Sequence, residues 1–142
     1  MFRAFQELVP YYPALDYLKD RNFAGFSFQR APFDPIFRYA HYADRVEYEF
    51  LDPELEAARG EFVDAARRFT RVVSQNTWPT HLAGCSTVPP EWEEMQPDRF
   101  DRVVTEIHEG ANAIEKAYAQ IVRLARRRLG VVGVIEPRAP EA

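Results

Sequence analysis

The sequence predicts an all-α fold: a long antiparallel helical hairpin completed by short, aromatic-rich N-terminal helices into a three- or four-helix bundle. Three observations predict it. One apolar stripe runs unbroken over residues 97–129. A second, well-capped stripe runs over 53–76. The first 50 residues hold 14 of the 20 aromatic side chains in the chain.

The 97–129 segment is the organising element. Phe100, Val104, Ile107, Ala111, Ile114, Tyr118, Ile121 and Ala125 recur at alternating steps of four and three, which keeps them on one helical face. Val103, Ala117 and Leu124 widen that face. Pro97 suits a first turn, where its missing N–H is no loss. Asp98 and Asp101 complement the positive end of the helix dipole, and Arg126, Arg127 and Arg128 the negative end. Gly130 is a good stop residue. Gly110 is the weak point, because a mid-helix glycine costs about 1 kcal/mol relative to alanine. Close approach of a neighbour or a slight kink would account for it. So long a helix with one stripe needs partners. The stripe has the spacing of a coiled-coil seam, so a second subunit, forming a homodimer, is one way to cover it.

The 53–76 helix begins at Asp52, a natural N-cap, followed by Pro53 and the acidic Glu54 and Glu56. Its stripe reads Leu55, Ala58, Phe62, Ala65, Phe69, Val72, with Ala66 and Val73 beside it. Asp64 and Arg68 are spaced for an ion pair on its outer face. Both long helices begin acidic and end basic. Antiparallel packing sets opposite charges side by side, whereas parallel packing would stack like charges.

The remaining segments fit around this hairpin. Prolines at 10, 13, 32 and 35 divide residues 1–50 into short pieces. Helices are expected at 2–8, 14–20 and 35–43. Residues 23–28, FAGFSF, alternate and suit an extended piece that would need a second strand. The aromatic rings either pack as a lid on the long helices or present a binding surface. Residues 77–96 hold three prolines and Gly84 and read as a loop, anchored by Trp78 and Trp92 or exposed as a contact surface. Residues 131–135 suit an edge strand or a strap, and 137–142 a flexible tail. The domain thus spans 1–136.

Composition bounds the function. At 142 residues the chain is one ordinary domain, and its net charge of −4 makes nucleic acid an unlikely partner. Its one cysteine, Cys85, excludes an internal disulfide framework and fits a reducing compartment. No apolar run is long enough for a secretion signal or a membrane span. A cytoplasmic protein is the expectation.

The search for chemistry returns little. His81 and Cys85 have ligand-like spacing only on a helix, and here they fall in a proline-bounded loop. Glu106, His108 and Glu109 contain no ExxH pair. Cys85 has no cation or helix start placed to activate it. No phosphate-binding glycine loop and no nucleophile elbow occurs. The carboxylates at 91–101 read as solvated charge at a helix start. The run from Arg123 to Arg128 complements a helix end. Neither a catalytic residue, a metal site nor a cofactor is expected.

What remains is a candidate interaction surface at Trp78, His81, Trp92, Arg123 and Arg127. The leading expectation is a non-enzymatic helical-bundle protein acting through a protein partner or homo-oligomer. The alternatives are a small acidic inhibitor of a basic protein, of the immunity, antitoxin or counter-defence type, and small-molecule binding or catalysis in an aromatic pocket built from residues 17–50 with Trp78 and Trp92.

Overall fold

A computed structural model describes residues 23–25, 27–45 and 49–129. Two long helices dominate it: α2, Pro53–Asn76, and α4, Pro97–Leu129. A nine-residue helix, α1, Asp34–Tyr42, follows one turn of 3-10 helix at Ala31–Phe33. A single turn, α3, Trp92–Met95, precedes α4. The architecture is an all-α bundle with one small sheet. The expected helices at 2–8 and 14–20, Gly130, residues 131–135 and the tail lie outside the described residues.

The long helices pack antiparallel. Phe62 meets Tyr118 edge-on, with ring centroids 5.9 Å apart. A methyl group placed on Gly110 would stand 3.1 Å from Phe69 Cδ1. Arg99 Nη2 donates to Asn76 Oδ1 at 3.4 Å. Rising numbers on α2 thus meet falling numbers on α4. At Gly110 the two helices approach closely around a ring, so its missing side chain makes room for Phe69.

Asp52 caps α2 by accepting from the N–H groups of Glu54 and Leu55 through Oδ1, at 2.9 and 3.2 Å. Phe100, Ile107, Ala111, Ile114, Tyr118, Ile121 and Ala125 are buried along α4. Near its start Val103 is fully buried and Val104 only partly, so the stripe there is centred one residue earlier than the spacing implies. On α2, Arg59 and Val63 join the buried set, while Val72 is only partly buried.

Helix α1 covers one side of this hairpin and explains the burial of Arg59. Tyr39 packs edge-on to Phe62 at 5.8 Å, so Tyr39, Phe62 and Tyr118 form one core layer through three helices. Arg59 Nη1 donates to Tyr39 Oη at 3.2 Å and to the Ala43 carbonyl at 3.0 Å. Its Nε and Nη2 grip Glu56 at 3.0 and 2.8 Å. A buried guanidinium needs its donors satisfied, and this one binds the end of α1 to the start of α2. Arg67 adds a second tie, from Nε to the Ala40 carbonyl at 3.1 Å and from Nη2 to Asp44 at 3.4 Å.

Residues 77–96 differ from the irregular loop the prolines suggest. Trp78–Pro79 (β2) and Cys85–Thr87 (β3) form an antiparallel pair, and Phe28–Gln29 (β1) adds to the other edge of β3. Phe28 stands opposite Ser86, and Trp78 opposite Thr87. Of the extended piece expected at 23–28 only Phe28 lies in a strand, which runs on to Gln29 and finds its partner in the connection, while Ala24 and Gly25 form a bend. Pro79 is tolerated because β2 is an edge. Gly84, at φ +78°, makes the turn into β3, and its carbonyl accepts from the Arg30 N–H at 2.9 Å. This sheet and α3 form a strap over the end of the hairpin. Phe23, Phe28, Phe33, Phe37 and Phe69 join beneath it in one aromatic cluster, with successive ring centroids 5.2–6.4 Å apart.

Candidate interaction surfaces

Two tryptophans anchor the strap. Trp92, in α3, is 8% exposed. The Arg99 guanidinium lies 3.9 Å over its ring, and Trp78 meets it edge-on at 5.6 Å. Trp78 completes this stack yet remains 47% exposed, because it sits on the edge strand β2 with only one covered side. Leu82 in the β2–β3 turn is 50% exposed, and Met95 at the end of α3 is 74% exposed. The strap thus holds three large apolar side chains facing water. His81 is also exposed, in the same turn as Leu82.

The electrostatics of this end are one-sided. Glu91, Glu93, Glu94, Asp98 and Asp101 are all exposed; Arg99 lies among them, and exposed Arg30 and Arg102 flank them. Five carboxylates against one guanidinium give residues 77–101 a net charge of −4, the net charge of the whole chain.

Arg123 and Arg127 do not belong to this surface. They lie 24 and 28 positions beyond Arg99 on α4, which is about 36 and 42 Å along the helix. Arg127 is exposed in the last turns of α4. Arg123 lines a cleft of 580 Å³ between α2 and α4, with Glu61, Asp64, Arg68, Lys116 and Gln120 at its edges and Ala65, Ala113 and Ala117 within. Asp64 and Arg68, spaced for an ion pair with each other, both border this cleft. A second cleft of 470 Å³ continues it past Ala113 and Gly110, bordered by Arg71, Glu106 and Glu109. Among the described residues nothing covers the face of the hairpin along these clefts, an arrangement that no single residue spacing announces.

An aromatic hollow of 290 Å³ does form from Phe28, Phe33 and Phe37 with Val73, Thr77 and Pro79, but Trp78 and Trp92 do not line it. The guanidinium beside it, Arg30, is engaged by the Cys85 carbonyl and Ser86 Oγ, both at 2.8 Å.

Titratable groups with a chemical motive are few. Arg59 beside Glu56 holds that carboxyl below its ordinary range, helped by the Phe50 N–H that donates to Oε1 at 2.8 Å. Both groups are engaged in holding α1 to α2. His108 accepts the Phe23 N–H at Nε2, 3.2 Å away, and packs on the Phe23 ring. Among the described residues no three His, Cys, Asp or Glu side chains gather in a metal-binding arrangement, and no helix is long and apolar enough to cross a membrane.

Comparison with protein families, with curated proteins and with solved structures returns no match to this chain.

Proposed function

We propose that this chain is a non-enzymatic interaction protein and that the strap is its contact end, taking a basic protein partner. One observation carries the reading: exposed Trp78, Leu82 and Met95 stand in the same segment that bears the whole net negative charge of the chain. Large amphipathic side chains such as tryptophan dominate binding energy when a partner buries them. A field of carboxylates around them selects a positively charged partner and speeds encounter with it. The tight α2–α4 hairpin beneath supplies a rigid mount. This is the behaviour of a small acidic inhibitor or adaptor.

The test is capture of partners from source-cell extract by the immobilised full chain, in low and high salt. The wild type should retain a basic protein in low salt and release it in high salt. The pair Trp78→Ser with Met95→Ser, and separately Glu91→Lys with Glu93→Lys and Glu94→Lys, should each lose it while keeping the wild-type helical circular-dichroism spectrum. Retention of the same partner by both variants would sink the reading.

A further inference from the structure

We infer that the open face of the α2–α4 hairpin is a self-association surface, which a second copy of this chain covers around a two-fold axis perpendicular to the helices. The strap is not part of this surface, so the inference stands or falls independently of the proposed partner. The face has a floor of small side chains, Ala65, Gly110, Ala113 and Ala117, on which another helix can lie close. Its edges carry eight charges: Glu61, Asp64, Arg68 and Arg71 on α2, and Glu106, Glu109, Lys116 and Arg123 on α4. Among the described residues, none of these eight side chains forms a hydrogen bond or an ion pair.

The arrangement of the eight charges selects the occupant. On α2, Asp64 and Arg68 are equidistant from residue 66, and so are Glu61 and Arg71. On α4, the midpoint of Glu109 and Lys116 and that of Glu106 and Arg123 both fall between Asn112 and Glu115. Phe62 faces Tyr118 and Phe69 faces Gly110, so residue 66 of α2 stands level with residue 114 of α4. One perpendicular two-fold through that level therefore serves both helices. It sets Asp64 against Arg68 and Glu61 against Arg71 of the other copy's α2. It likewise sets Glu109 against Lys116 and Glu106 against Arg123 across the two α4 helices. A surface that complements its own rotated image is the signature of an isologous dimer.

A two-fold parallel to the helices would also set α2 over α4 with opposite charges facing. It would, however, place the two acidic ends, residues 77–101 with a net charge of −4 each, side by side. The perpendicular axis lies some 15 residues from Arg99, which holds the straps about 45 Å apart. At that distance their repulsion is fully screened at physiological salt, where the Debye length is about 8 Å.

Sedimentation equilibrium of the full chain up to about 0.1 mM tests this. The expected wild-type mass is twice the 16.5 kDa of the chain. Asp64→Arg, at an exposed position, should weaken the dimer at least about tenfold by facing Arg68 of the other copy. Adding Arg68→Asp should restore it, because the swapped pair meets again across the perpendicular axis. Across the parallel axis the same double variant would face Lys116 and Glu109 with like charges and stay monomeric. A monomeric wild type, an Asp64→Arg variant that dimerises as tightly as the wild type, or a double variant that stays monomeric would each overturn the inference. Helical circular dichroism and thermal midpoints check that each variant is folded.

Discussion

Gly60 and Gly110 are both interior to long helices, and their surroundings give them opposite meanings. A side chain at Gly60 would meet nothing within 4 Å. Gly60→Ala should therefore raise stability by about 0.5–1 kcal/mol, the ordinary helix-propensity gain. At Gly110 the same change presses on Phe69, which is buried against Phe33 and Phe37 and cannot swing aside. Overpacking of about 1–3 kcal/mol outweighs the propensity gain, so Gly110→Ala should lose about 1 kcal/mol. Urea unfolding of the two variants measures both signs, and a gain at Gly110 would contradict the close approach. Glu56 makes a pH prediction at the same scale. Its carboxyl titrates below its ordinary range when folded, so on acidification the unfolded chain takes up a proton first. The stability it contributes is complete at neutral pH and is lost as pH falls below about 5. Glu56→Gln should flatten that acid limb relative to the wild type in thermal melts across pH 3–7.

Among the elements, α2 shows how much a cap decides. Asp52 satisfies two of the orphan N–H groups at its start, and Asp52→Ala should cost about 1 kcal/mol in the same urea titration with no change in slope. That cap, Pro53 and the acidic first turn were all legible in the sequence, because helix starts are set by local chemistry. The 97–129 helix was legible for the same reason, through Pro97, the stripe and the basic end. Its partner's direction was legible from the acidic-to-basic polarity that both helices share. The strap was not. Its strands are two or three residues long, too short for alternation to register, and β3 is completed by Phe28, which local spacing cannot link to Ser86. Arg59 was missed because an arginine within a helix reads as solvated unless a neighbour such as Tyr39 buries it. Trp78 and Trp92 were legible as anchors, although their unequal exposure depends on an edge strand the prolines concealed. Arg123 belongs with the open face rather than with the tryptophans, a separation that appears only once 97–129 is seen as one continuous helix.

At the scale of the whole molecule, the strap sheet joins two stretches of chain that lie about 60 residues apart, with α1 and α2 between them. Closing so long a loop costs conformational entropy before its few backbone bonds return anything. The α2–α4 hairpin, by contrast, closes over a connection of 20 residues, a third of that separation, and buries most of the core as it does so. On these grounds the strap should be the last part of the molecule to assemble and the first to open. Deuterium should enter the Arg30 amide, which donates to the Gly84 carbonyl, well before the mid-helix amides of α2 and α4. If the two sets exchange together, the strap opens only with the whole protein. If Arg30 exchanges first, the segment bearing Trp78 and Met95 can reshape itself on a partner while the helices beneath it stay formed.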